Sequence, residues 1–216
     1  MARPTDLRPR IAALDLPTLE AYAGLAPRAD VVAAEVEGLS GRVDAAHARL
    51  TESRLHGASV DALDLTGATL ADVAIADLRA ADLSAANGSW RSVEVDGGRL
   101  GSFSAARATW DSVVVRGIRV DYLALAAATL TDVLFVGCTF GALDLPDARL
   151  LRVAFEDCRC DEVDTRGLKA SGVDLRGLDA LSFTSPAGLA GVTIDDRQAA
   201  MHARSFAEAL GIRVAS

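Results

Sequence analysis

Between about Ser40 and about Ser185, apolar side chains fall on two positions of every five, and similar side chains return every twenty residues. Ala48, Ala68, Gly88, Ala108, Ala128 and Ala148 form one such series, each followed two residues later by Leu50, Leu70, Trp90, Trp110, Leu130 and Leu150. A five-residue period fits neither the 3.6-residue turn of an α-helix nor the simple alternation of a strand, so it predicts a solenoid of short, repeating coils. Placing the pentapeptide centres at Leu55, Val60, Leu65, Leu70 and onward in fives, with the second apolar site two residues earlier, sorts the chain into four columns. The first runs Ser53/Leu55, Val73/Ile75, Val93/Val95, Val113/Val115, Val133/Phe135, Val153/Phe155 and Val173/Leu175. The second includes Leu78/Ala80, Gly98/Leu100, Ile118/Val120, Cys138/Phe140 and Cys158/Cys160, and the third includes Leu63/Leu65, Leu83/Ala85, Leu123/Leu125, Leu143/Leu145 and Val163/Thr165. The series of Ala48 and Leu50 is the fourth.

Two inward residues separated by one outward residue describe a very short extended segment, and the remaining two residues turn the corner. Four such sides make a square coil, and about seven coils stacked at ~4.8 Å make a rod about 34 Å tall with a filled interior. Trp90 over Trp110 and Phe135 beside Phe155 must share that narrow channel, so small neighbours such as Gly88 and Ala108 are expected to compensate. On one edge Gly57, Gly97, Gly117, Gly137 and Gly177 occupy the place where a type II turn asks for positive φ. No Gly-x-Gly-x-x-Gly or Walker pattern opens a helix, so these glycines read as corners and not as a phosphate cradle.

These pentapeptides resemble those of the pentapeptide repeat family, whose motif is loosely Ala-(Asp/Asn)-Leu-x-x. Leu143-Asp144-Leu145 and Val173-Asp174-Leu175 fit it well, whereas Gly98-Arg99-Leu100 fits only at the centre. Ala76-Asp77-Leu78 and Ala81-Asp82-Leu83 match best but stand out of phase; the unbroken frame still buries Leu78/Ala80 and Leu83/Ala85 without two compensating slips, and is retained. The resemblance covers roughly residues 40 to 185. It implies an all-β solenoid, a right-handed quadrilateral β-helix. It also implies a class of activity, because the best-known members mimic duplex DNA, occupy the DNA-binding saddle of DNA gyrase, protect it from quinolones or peptide toxins, and join through their C-terminal ends.

The two ends lie outside the repeat. A stack of strands leaves unpaired backbone groups at top and bottom, and something must cover them. Residues 1–39 lack the register and carry Ile11, Leu14, Leu16, Leu19 and Tyr22 among four prolines; they are expected to form an irregular or short-helical N-terminal cap, with Val31 to Val36 as a lead-in strand, the alternative being a peptide that docks elsewhere. The repeat is assigned to 40–190 and a C-terminal helix to 191–216. Asp195-Asp196-Arg197-Gln198 reads as a helix start with a capping-box partner at Gln198. Ala199, Ala203, Phe206 and Leu210 then share one apolar face, which either caps the last coil or joins two copies.

Charge and chemistry narrow the function classes. The chain has 216 residues, a net charge of −8 and half its residues apolar, which disfavours non-specific binding to nucleic acid or to an anionic membrane. Neither a signal-peptide core nor an apolar run of transmembrane length is present, so a cytoplasmic location is the expectation. Arginine far outnumbers lysine, whose one representative is Lys169, which fits a high-GC bacterial genome. His47, His56 and His202 are far apart in the lattice and no Ser/His/Asp or Cys/His set converges, so an enzyme is not expected. Cys138, Cys158 and Cys160 stack as small buried hydrophobes; no metal or other cofactor is expected.

Function is therefore expected on the outward residues. Arg79, Arg99, Arg119 and Arg159 form a vertical row on the second face, either paired with Asp61, Asp82, Asp121, Asp161 and Glu162 or free to meet an acidic partner or phosphate. On the first face Val114, Leu134 and Ala154 make an apolar strip, either an interface or ground covered by a terminus. The reading is a non-enzymatic interaction module or scaffold with an unknown protein partner, monomeric or a C-terminal homodimer. The alternative is a DNA-mimicking protector of DNA gyrase.

Overall fold

The computed structural model describes residues 7–215. Its centre is a stack of parallel strands, of which Thr69–Ser84, Ser89–Ser104 and Thr109–Ala124 are continuous around most of a coil. Val73 pairs with Val93, Val93 with Val113, Val113 with Val133 and Val133 with Val153, so each step up the stack is one twenty-residue coil. The four-sided β-solenoid expected from the five-residue period is what the chain forms.

All four columns face inward. Leu78, Ala80, Leu83 and Ala85 are buried at 2%, 6%, 3% and 0% exposure, which upholds the unbroken frame over the better-looking out-of-phase motifs. Identical columns make the interior a ladder of like side chains. Trp90 lies flat on Trp110 at 5.0 Å with Phe103 tilted against both, and Phe135 lies flat on Phe155 at 4.9 Å. The constraint at Gly88 is the backbone and not the indole: a Cβ there would stand 3.0 Å and 3.1 Å from the carbonyl oxygens of Ala85 and Ala68, but at an ordinary 3.7 Å from Trp90 Nε1. Two polar residues intrude at no cost in unmade bonds. Ser53 bonds Thr51 and Ala34 through its hydroxyl, and Thr165 bonds the carbonyls of Thr184 and Ser185.

Three of the four edges turn through a left-handed residue. Gly57, Gly97, Gly117 and Gly137 do so on the edge singled out by sequence, but Gly177 does not; there the reason for glycine is proximity, since a Cβ would lie 2.1 Å from the carbonyl oxygen of Phe155. The other two left-handed edges carry Glu52, Asp72, Ser92, Ser112, Asp132 and Arg152, and His47, Asn87, Arg107, Ala127 and Asp147. Aspartates just before a corner brace it: the carboxylates of Asp44, Asp64, Asp164 and Asp174 each accept from the N–H two residues on.

The stack is longer than expected. Tight turns at 27–28, 46–47, 66–67, 86–87, 106–107, 126–127, 146–147 and 166–167 mark eight coils, not about seven. The extra one is the first. It pairs Asp30–Val32 and Ala34–Glu37 with the next coil at an offset of nineteen, Val31 facing Leu50 and Val36 facing Leu55, and regains twenty between Gly41 and Arg42. The missing residue puts Val31, Ala34 and Val36 out of the five-residue frame, although all three are buried.

At the other end a 3-10 turn, Pro186–Leu189, leads into two short helices, α1 (Asp196–Met201) and α2 (Ala203–Ala209), which meet at His202. The capping box forms as the sequence predicts, Gln198 N–H to Asp195 and Asp195 N–H to Gln198. The packed face is different from the expected one. Ala199 and Ala203 are exposed, Leu210 is 79% exposed and Phe206 is half-buried, whereas Gln198 and His202 are the residues buried against the last coil. A polar contact prevails because the coil end offers carbonyl oxygens: Gln198 Nε2 donates to those of Leu175 and Leu178.

Candidate interaction faces

The second face carries the arginine row in strict register. Arg79 pairs with Arg99 and Arg99 with Arg119 as strand neighbours, so their side chains leave one flat surface at a spacing of about 4.8 Å. All four arginines are exposed. Asp121 is the one corner carboxylate that reaches the row, 3.8 Å from Arg99 and 3.5 Å from Arg119. Among the described residues Arg79 and Arg159 have no carboxylate within ion-pair distance, and the expected ladder of pairs is therefore incomplete. Between Arg79 and Arg99 the surface dips into a groove of about 470 Å³ bordered by Ser59, Asp77, Ala81 and Gly98. Gly98 on its border presents no side chain and cannot, because a Cβ would stand 2.3 Å from the carbonyl oxygen of Leu78.

The first face is not open. Val114 is 1% and Ala154 7% exposed, although both point away from the interior cluster, and Leu134 between them is half-buried. Their cover is the N-terminal segment. Its Glu20–Ala21 pairs with Ala34–Glu37, and from there it climbs the face as an extended arm: Ala12 N–H donates to Ser112 Oγ at 3.3 Å and Arg10 N–H to Asp132 Oδ1 at 2.8 Å. Asp132 is clamped from the other side by Arg152 through Nε and Nη2, both 2.6 Å. The guanidinium of Arg152, and behind it the Arg10 amide, hold that carboxyl below the usual carboxylate range against its own desolvation. Val114 and Leu134, expected as a candidate patch, are thus covered ground.

At the C-terminal end an apolar groove of about 360 Å³ opens between the 3-10 turn and α2, lined among others by Leu189, Ile194, Phe206 and Leu210. Sequence reasoning named Phe206 and Leu210 but missed the turn that forms the other wall. The three thiols are interior, Cys138 N–H against Cys158 Sγ at 3.4 Å and Cys160 Sγ against the Glu162 carbonyl. Burial and the neighbouring Cys138 push the Cys158 thiol up, and burial pushes Cys160 up to about 12. His47 is exposed at a corner, His56 lies 3.4 Å from Glu35, and the His202 ring stands edge-on to Phe183. Among the described residues no three metal-ligating side chains converge, and no helix is long and apolar enough to cross a membrane.

Five residues per side, four sides per coil and a parallel ladder at a twenty-residue offset decide the fold. The solenoid is a four-sided parallel β-helix with a five-residue repeat unit. No protein-family model matches the chain, and no curated protein does. Two solved structures of trypsin-treated variants of QnrB1, a plasmid-mediated fluoroquinolone resistance protein, are similar to it. One is 15% identical with a TM-score of 0.37, covering 84% of this chain and 100% of that one. The other is 18% identical with a TM-score of 0.34, covering 92% and 100%. On this solenoid the arginine row, the covered first face and the C-terminal groove are the candidate surfaces.

Proposed function

We propose that the protein is a non-enzymatic interaction module of the bacterial cytoplasm that presents its second face to an acidic segment of a protein partner. The observation behind this reading is the register of Arg79, Arg99 and Arg119 on a rigid ladder, beside a groove with Gly98 on its border and with Arg79 unpaired. The strands fix the spacing of the row, and each planar guanidinium can bind a carboxylate two-pronged. The filled interior offers no chamber for chemistry. Affinity capture from a bacterial lysate with wild type and with Arg79→Glu/Arg99→Glu tests the reading, backed by the salt dependence of the purified pair. The captured partner is expected to be lost with the charge-reversed face, and equal recovery by both proteins overturns the proposal.

A second reading, a protector of DNA gyrase that mimics duplex DNA, draws on the opposite sign of charge. Asp61, Asp82, Asp121, Asp161 and Glu162 are exposed along one edge, with Asp144 and Asp164 on the adjoining face. The edge is interrupted at Gly101 and Gly141, and a column delivers at most one charge per ~4.8 Å coil where a duplex carries one per ~1.7 Å. Association of two rods through the C-terminal groove would accompany this reading, with the exposed Leu210 beside that groove. Gyrase supercoiling and quinolone-stabilised cleavage, with and without the protein, decide it: no effect at large molar excess ends this reading, and a monomeric mass by light scattering ends its dimer.

A further inference from the structure

The N-terminal arm is bound differently from everything else in the molecule. Strands of the rod exchange backbone hydrogen bonds at every coil, but residues 7–19 cross those strands and join no ladder. The backbone bonds described between this stretch and the coils go to side chains, Asp132 and Ser112, and its alternating Leu7, Pro9, Ile11, Leu14, Leu16 and Leu19 are only half-buried. A segment that joins no ladder and is half-buried at best opens at lower free energy than the stack it lies on. The ground beneath is complete without it: Val113, Val115, Val133 and Phe135 close the interior behind Val114 and Leu134.

We infer that the arm is a latch over a second docking site, and that the strip of Val114, Leu134 and Ala154 receives an extended, cationic and apolar peptide segment of a partner protein. The arm itself shows what fits. It offers two main-chain N–H groups, two residues apart, to acceptors on successive coils, with an apolar side chain between them and arginines at Arg8 and Arg10. Asp132 at the side of the strip is the carboxylate that feels the charge of Arg10 as well as that of Arg152, whereas Glu94 and Asp174 at the two ends are paired with Arg116 and Arg176. A partner segment of this kind competes with a tethered copy of its own chemistry, so its apparent affinity falls in proportion to the closed fraction of the arm. The site lies on the face adjoining the arginine row, around the corner of Gly97 and Gly117, and takes a peptide of opposite charge.

A fluorescent peptide of residues 7–19 serves as the probe, titrated against the full chain by anisotropy. Ile11→Asp/Leu14→Asp, which unseats the chain's own arm and leaves the strip intact, is expected to bind it at least about tenfold more tightly than wild type. Adding Leu134→Asp should return binding to the wild-type level or below, and a probe with both arginines replaced by glutamate should bind weakly. Failure of the arm variant to bind while its thermal transition stays cooperative overturns the proposal, as does binding indifferent to Leu134→Asp. An arm variant that dimerises and rejects the peptide makes the strip an interface between copies and also overturns it. Native-state hydrogen exchange on the wild type gives a check that needs no variant. The Arg10 and Ala12 amides should exchange at least about a hundredfold faster than those of Val133 and Phe135, and exchange only through global unfolding sinks the latch.

Discussion

The side-chain amide of Gln198 replaces a strand at the top of the rod: its Nε2 lies 2.7 Å from the carbonyl oxygen of Leu175 and 2.8 Å from that of Leu178. The Leu175 carbonyl also accepts from the N–H of Leu178, so it is the Leu178 carbonyl that depends on Gln198 for its donor. The same side chain closes the capping box through Oε1, so one buried residue satisfies the coil and the helix together.

Gln198→Leu keeps the volume and removes both functions. With the Leu178 acceptor stranded at about 1–3 kcal/mol and a helix start weakened, a loss of about 2 kcal/mol is expected. Urea unfolding measures it, and a change below about 1 kcal/mol would show that water satisfies the coil end.

The glycines of the repeat separate into two kinds with different costs. Gly117 has φ +61° and open space where a Cβ would go, so Gly117→Ala carries left-handed strain alone, about 1 kcal/mol. Gly98 has φ +129° and a carbonyl oxygen 2.3 Å from that position, so Gly98→Ala must displace a strand and should cost at least about twice as much. Paired thermal melts rank them, and the reverse order would refute the close-approach argument.

Acid should loosen the arm before the rod. The Asp132 carboxyl is held below its ordinary value by Arg152, so its contribution is fully present above the unfolded-state value near pH 4 and disappears as pH falls through the lower folded value. Exchange at the Arg10 amide, compared with rod amides as pH drops from about 5 to about 2.5, reports the loss. In Asp132→Asn the arm should already be loose at neutral pH and respond little to acid.

The thiols should be silent while the rod is folded. Cys138, Cys158 and Cys160 all lie inside the stack; burial pushes the Cys160 thiol up to about 12, the hydrogen bond with Cys138 and burial push Cys158 up, and Cys138, which that bond shifts down, is protected by its inaccessibility. Reaction with a chromogenic disulfide should therefore wait for unfolding, and rapid labelling of any of them in the native protein would contradict the packing.

The interior was legible in the sequence because a solenoid repeats its environment, and each column restates the same burial requirement: Val73, Val93, Val113, Val133 and Val153 are one answer given five times. The first coil escaped because one missing residue near Gly41 throws Val31 and Val36 out of frame while leaving them buried. The cover over Val114 escaped for another reason. Its anchors are backbone amides at Arg10 and Ala12, and an amide leaves no trace in residue type; only the acceptors Asp132 and Ser112 do, as two more polar corners among many. The arginine row was visible as a column, but that Asp121 alone of the corner acids reaches it depends on side-chain directions that the period does not encode.

A stack in which each coil touches only its neighbours behaves as a one-dimensional chain, free to fray from either end one coil at a time. The arm breaks that rule by tying the coil of Ala34, through Glu20, to the coil of Asp132, through Arg10. While it is seated, the lower coils cannot peel away without also surrendering contacts far above them. Pulled from the N-terminus, the rod should resist as a single block until the arm detaches and only then unravel coil by coil, a mechanical fuse built from thirteen residues that belong to no strand.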